Sequence, residues 1–330
     1  MTALKIHYYI PVQSSFDQLR QHALASIRLR AVPAIAGFKK NGHTVTFGSN
    51  CPDIQGLDIA IFGKLGPPDE AFKRDIIWTN EVKFLKSNNT KIVLDYSDHH
   101  LGVISNQTDF YKKNIALADH ICVPSKKMAE LVNPFCNSPI HHITDAIEFE
   151  TFAPRHVSQS PRKIFWFGAK SNLKYLFSFI EKLYFDEPVI LNVLTDAKGI
   201  AIFQNTKLLS KTKLHVNLDL WSLDKMIDVA LKSDICLIPS DQTDVRKNGV
   251  GINRLITALS LGLPVAASLV NSYSEFSNYF VDINSPELSL LMKNPESFHG
   301  QVISAQQNIV DQFKLENIET KWAEFAELIT

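Results

Sequence analysis

Short apolar runs alternate with helix-length segments along most of the chain. The runs are rich in β-branched and aromatic residues. They fall at 5–10, 44–47, 59–62, 91–94, 120–123 and 140–143, then at 163–167, 189–194, 214–218, 235–238 and 265–267. They are nearly continuously apolar rather than alternating, which predicts strands covered on both faces. Strands at this spacing, with helical periods between them, predict βαβ units and parallel sheets. Residues 151–162, TFAPRHVSQSPR, carry two prolines and no apolar period, which is linker chemistry. The chain therefore divides into 1–152 and 163–330. Each part reads as an α/β domain with a Rossmann-like, doubly wound sheet, the two facing each other across a cleft. From about Ser304 to Thr330, Ile309, Phe313, Ile318, Trp322, Phe325 and Leu328 form an apolar stripe, which predicts a C-terminal helix.

Ligands of such sheets bind beyond the carboxyl ends of the strands, so the loops after strands carry the candidate chemistry. The clearest is within residues 234–268. A buried strand, SDICLIPS, leads into the loop DQTDVRKNGV, a helix over 251–261, and the strand VAAS. Gly249 and Gly251 would let the backbone approach a phosphate, and the new helix aims free N–H groups at it. Lys247 lies in the loop, with Asn253 and Arg254 on the first helical turn. A guanidinium there can grip a diphosphate through two parallel bonds. A second glycine turn, Gly168-Ala169-Lys170-Ser171-Asn172, follows the strand 163–167 and puts Lys170 and Asn172 near the same phosphates. Asp196 ends a strand, where it either touches a ribose or caps a helix. Trp221 either stacks on a base or belongs to the core.

In the first half, Arg28 and Arg30 lie near the start of the helix after a long loop. Residues two apart face different ways on a helix; Arg28 is expected to meet the ligand, and Arg30 to make a structural pair. Gly63 and Lys64 place a cation after the strand 59–62. Asp95-Tyr96-Ser97-Asp98-His99-His100 is the densest polar cluster at any strand end. A histidine beside a carboxylate can accept a proton from a hydroxyl nucleophile, so Asp98 and His99 are the candidate catalytic pair, with Arg28 beside them. His141 and His142 lack metal-ligand spacing, and no metal is expected.

Composition narrows the classes. The 330 residues contain 34 Lys and Arg against 34 Asp and Glu. A formal charge of zero argues against a nucleic-acid partner. No apolar run approaches the ~18–20 residues that span a bilayer, and the N-terminus does not read as a signal peptide. The four cysteines show no CxxC spacing and read as free thiols. A cytoplasmic location is expected, with at most weak peripheral association with a membrane.

The chain resembles GT-B-fold glycosyltransferases, in particular the large retaining family with two Rossmann-like domains. SDICLIPS followed by ITALSLGLPVAAS is similar to that family's strand, loop and helix. FWFGAKSNLKYL is similar to its glycine turn. SIRLR before PAIAGFKKNGHTVTF, then IVLDYSDHH and ADHICVPSKKMAELV, are similar to its N-terminal motifs in the same order. The family carries two glutamates beside the donor sugar; Gly249 and Thr257 stand at those positions here. The resemblance implies a GT-B fold and transfer of a sugar from a nucleotide-activated donor to a saccharide or lipid-linked acceptor, as in cell-surface polysaccharide synthesis. Lys170, Lys247 and Arg254 would hold the donor phosphates. The alternatives are a sugar-nucleotide epimerase of the same shape and a non-catalytic binding subunit.

Overall fold

The computed structural model describes residues 2–66, 68–104, 107–155, 161–206 and 212–330, apart from the side chains of Pro68 and Asp69. Part of the expected linker, 156–160, lies outside the described residues. Among the described residues twelve strands form two sheets of six. The first contains β1 (Lys5–Tyr9), β2 (Thr44–Gly48), β3 (Ile59–Phe62), β4 (Lys91–Asp95), β5 (His120–Val123) and β6 (Ile140–His142). The second contains β7 (Arg162–Phe167), β8 (Val189–Thr195), β9 (Leu214–Leu220), β10 (Ile235–Ile238), β11 (Val265–Ala267) and β12 (Val281–Asp282). Only β12 lacks a sequence expectation, and it is two residues long. The orders are β2-β1-β3-β4-β5-β6 and β12-β11-β10-β7-β8-β9, and every pairing is parallel. Order reverses beside β1 in the first sheet and between β7 and β10 in the second.

The chain forms two compact units. The first runs to Glu148 and takes in Thr243–Ile252 and Gln312–Thr330; the second comprises Phe149–Gln242 and Asn253–Asp311. The C-terminal helix Leu315–Leu328, which the sequence assigns to the second domain, thus belongs to the first unit. Its stripe decides this: Ile318, Trp322 and Phe325 join Ile6, Tyr8, Ile35 and Phe38 in one core. Leu328 falls off the stripe and is exposed. The opposite face of the first sheet packs Trp78, Tyr96, Phe110 and Met128 against β3, β4 and β5. The second unit's sheet buries Trp166, Leu191, Val193 and Leu237 among its own helices.

Gly37 explains how closely the C-terminal helix docks. It lies on helix Val32–Lys40, and a methyl group there would sit 2.1 Å from the Glu319 carbonyl oxygen. Backbone cannot yield as a flexible side chain can, so the two helices would have to separate. We expect Gly37→Ala to destabilise the first unit by about 1–3 kcal/mol, the usual cost of overpacking. Urea unfolding followed by tryptophan fluorescence reads this. An unchanged midpoint would mean that the helix pair is loosely held.

Candidate functional site

In the second unit the expected phosphate corner is built around Arg254. Helix Asn253–Ser260 starts there, and the Asn253 side-chain oxygen accepts the Arg254 backbone N–H at 2.7 Å. The guanidinium carbon sits 5.2 Å from the Trp166 ring centre and 5.5 Å from that of Phe167, at the end of β7. Two flanking rings hold a cation by their quadrupoles. Arg254 Nε and Nη2 are closed to solvent and have no hydrogen-bond partner among the described residues. Trp166 Nε1 is a further buried donor without an acceptor. Burial lowers the Arg254 pKa, opposed by Tyr273 and Cys236. A buried charged donor left unpaired costs upward of about 1–3 kcal/mol, so an anion entering here would relieve a penalty already present in the fold. The place is also where strand order reverses, between β7 and β10, the usual ligand position in such sheets.

The neighbouring turn is less open to a ligand than its sequence suggests. Lys170 is exposed, and its backbone N–H donates to Asp196 at 2.7 Å. Asp196 also caps helix Ala197–Gln204 through the Gly199 N–H at 2.9 Å, which resolves its two readings in favour of the cap. Gly168 packs on Trp166, with the Asn172 side chain close by. Trp221 is half-buried rather than part of the core.

Lys247, Gly249 and Gly251 fall in the first unit. Both glycines have ordinary negative-φ backbone needs; their small size serves packing. Gly249 O accepts from Ser125 Oγ at 2.8 Å, and a methyl group on it would meet Leu131 at 2.9 Å. A methyl group on Gly251 would lie 2.6 Å from Asp145 Oδ2. Lys247 acts on Asp98 instead. Burial would raise the Asp98 pKa, but Lys64, His100 and Lys247 together hold it well below the usual carboxylate range. Lys64 Nζ donates directly to Asp98 Oδ2.

The expected Asp98–His99 pair does not form. Tyr96 Oη accepts the His100 and Leu101 backbone N–H groups at 2.5 and 2.9 Å. Its own proton is therefore directed at His99 Nδ1, 3.3 Å away, and the His99 proton resides on Nε2. Burial keeps His99 neutral by lowering its pKa. Arg30 makes the structural pair expected of it, whereas Arg28 departs from its expectation. Arg28, expected to face the ligand, donates to Glu148 at 2.7 Å and to the His22 carbonyl at 2.6 Å. Arg30 grips Asp95 at 2.8 and 2.9 Å, the Ile143 carbonyl at 2.8 Å and Asp145 Oδ1 at 3.1 Å. Ile27–Ala31 is a π-helical turn, and both arginines are buried on it.

Asp145 is the residue that sequence reasoning passed over. It is nearly buried, with Oδ1 on Arg30 and Oδ2 facing Gly251. Burial raises its pKa, Arg30 opposes this, and Asp95 and Asp98 reinforce it. The sequence signal was only a polar Thr144-Asp145 just after a strand. His141, considered there for a metal, instead meets His120 at 3.2 Å. Among the described residues no three His, Cys, Asp or Glu side chains gather as a metal site.

No protein-family model matches the chain, and no curated protein matches it. Solved structures do. An α-glucosyltransferase in complex with UDP and a 13-mer DNA containing an HMU base matches with TM-score 0.62 at 13% identity, over 99% of this chain and 100% of that one. The chain has the GT-B fold. T4 phage β-glucosyltransferase matches with TM-score 0.59 at 11% identity, over 99% of each chain. The UDP-GlcNAc 2-epimerase of Neisseria meningitidis, bound to UDP-GlcNAc, matches with TM-score 0.52 at 12% identity, over 99% and 100%. The first of these corrects the expectation that excludes nucleic acid, because a protein of this fold binds DNA. A net charge averages over the whole molecule, whereas a phosphate backbone is met by local cations.

The buried imidazoles make the first unit acid-sensitive. Burial lowers His7 and His100 from 6.5 to about 4 each, with Gly48 and Asp98 respectively opposing. Both bind a proton more readily when unfolded, so their contribution is present above about pH 6.5 and is lost as pH falls toward 4. His100 stacks on Tyr111 at 5.2 Å. We expect His100→Phe to flatten the decline in stability between those pH values. Urea midpoints measured across that range check it; an unaltered slope would discount His100.

Proposed function

We propose that the chain is a glycosyltransferase that takes a sugar from a nucleoside-diphosphate donor and transfers it to a hydroxyl. The observation that carries this is the unpartnered Arg254 guanidinium between Trp166 and Phe167. A diphosphate supplies the acceptor oxygens that Nε and Nη2 lack, and stabilises there as charge develops on the leaving group. UDP in structural neighbours of the same fold supports a nucleotide ligand. The acceptor is assigned to the first unit, where Lys64, Asp98 and Asp145 follow strand ends. Asp98 is held as an anion and is a weak base. Asp145, with its raised pKa, is better matched to taking the acceptor's proton. A saccharide or lipid-linked saccharide remains the proposed acceptor class, and the DNA-bound neighbour puts hydroxymethylated DNA in the same screen. The absence of acidic residues at Gly249 and Thr257 supports a departure from the retaining family in how the sugar ring is held.

Arg254→Ala is expected to weaken UDP binding by about 1.5–3 kcal/mol, the range for hydrogen bonds to a charged group. Calorimetric titration measures it, and an unchanged dissociation constant would remove Arg254 from the donor site. Asp145→Asn is expected to leave UDP affinity in place while lowering kcat about 100-fold or more. Donor turnover is followed with and without acceptor. Turnover to an epimerised sugar without acceptor would favour the epimerase reading, and no turnover across a donor panel would leave only a binding subunit.

A further inference from the structure

The second sheet ends on a long open strand. β9 has seven residues, LHVNLDL, and pairs with β8 along its whole length. Among the described residues no strand pairs with its other side. The remaining edge strands, β2, β6 and β12, have five, three and two residues. Lys213 O accepts the Val189 N–H at 2.8 Å, and the Trp221 N–H donates to Thr195 O at 2.9 Å. In a parallel ladder alternate residues bond to one neighbour, so the odd-numbered residues from 213 to 221 serve β8. The backbone groups of Leu214, Val216, Leu218 and Leu220 therefore point outward. Asp219 Oδ1 takes the Leu220 N–H at 2.7 Å. Leu214, Val216 and Leu218 keep both groups open among the described residues. Neither proline nor lysine, the usual guards of such an edge, interrupts residues 214–220.

We propose that β9 pairs antiparallel with β9 of a second copy of the chain, about a twofold axis at Val216. Leu214 of each copy then exchanges hydrogen bonds with Leu218 of the other, and the two Val216 residues bond to each other. The charges select this arrangement. Lys213 begins the strand and Asp219 lies near its end, so each Lys213 stands opposite the other copy's Asp219. Parallel pairing in register sets lysine beside lysine and aspartate beside aspartate, which is unfavourable. Within the chain Lys225 already pairs with Asp219, and Lys213 Nζ donates to the Asp186 carbonyl at 2.6 Å. His215, the other titratable group of the strand, faces the second copy's Asn217. Shape agrees with charge. The same axis brings the second copy's Leu220, 49% exposed, to the start of β9. There Pro161, Pro188, Val189, Ile190 and Leu214 line a groove of about 350 Å³. An unrelated extended peptide would satisfy the open backbone but would leave the opposed charges and the Leu220 fit without a cause. A twofold pairing of one edge with itself is closed and ends at two copies. The pairing does not depend on the transferase reading.

Sedimentation velocity over a dilution series tests the proposal. The wild type is expected to pass from dimer to monomer on dilution. Val216→Pro removes an outward N–H that β8 does not use, and should give a monomer with unchanged far-UV circular dichroism. Lys213→Glu and Asp219→Lys should each weaken the dimer about tenfold or more, and the two together should restore it. Restoration by a charge swap has no explanation in a general loss of folding, so it decides the matter even where Val216→Pro fails to fold. UDP affinity should be the same in every folded variant, which separates failure here from failure of the transferase reading. A wild type that is monomeric at every concentration overturns the proposal. So does a folded Val216→Pro that dimerises like the wild type, or a double variant that dimerises no better than the single ones.

Discussion

All strands in both sheets run parallel, and that constraint places everything else. A parallel strand can be followed only by a crossover, so each loop after a strand emerges at the same edge. Gly63, Lys64, Tyr96, Asp98, Thr144 and Asp145 are thus gathered at one edge of the first sheet, although the chain separates them widely. Gly168, Asp196 and the approach to Arg254 are gathered in the same way in the second. The chemistry does not shape this framework. Nearly continuous apolar strands, buried on both faces, do so, and the polar residues occupy the positions where burial ends.

Arg30 and Arg254 differ in how their charge is met: the first is fully buried and the second half-buried. Arg30 is fully engaged by Asp95, Asp145 and a carbonyl, with Tyr8 Oη donating to Asp95 at 2.6 Å to complete the cluster. A cation so engaged, and 1% exposed, is committed to the fold. Breaking such a buried pair from one side is costly, because the partner charge is stranded. Among the described residues no acidic side chain pairs with Arg254, which rests on aromatic rings. Its Nε and Nη2 are closed to solvent, so under the proposed donor role a diphosphate would meet donors desolvated in advance.

The strands were legible in the sequence because their signal is local: eleven of the twelve follow from runs of apolar residues, and the twelfth is too short to carry one. Lys64 was legible as a cation placed just after β3 by the parallel topology. Arg30's structural pairing was legible, whereas the engagement of Arg28 by Glu148 was not, because Glu148 lies 120 residues away in the sequence. Gly249 and Gly251 read as phosphate glycines, yet their small size answers to Leu131 and Asp145, contacts about 100 residues distant in sequence. The C-terminal stripe was correctly read as a helix and wrongly housed, since periodicity reports that a face is buried without saying against what. Net charge misled for the same reason: it is a sum, and recognition depends on where the charges are.

The two acidic residues of the first unit's edge sharpen this point. Asp98 and Asp145 have the same side chain and both lie just beyond strand ends, yet they are driven in opposite directions. Lys64, His100 and Lys247 fix Asp98 as an anion, while burial and the neighbouring carboxylates push Asp145 toward holding a proton. Neighbouring carboxylates with divergent pKa values are the usual basis for dividing roles in a site. Asp98, paired with Lys64, then stays an anion, and under the proposed role it accepts a hydrogen bond from a hydroxyl without taking its proton. Asp145, tethered through one oxygen by Arg30, keeps its second oxygen toward the loop that contains Gly251. A side chain larger than hydrogen at 251 would occupy that space. The glycine that first suggested a phosphate loop is thus better understood as leaving room for a carboxylate.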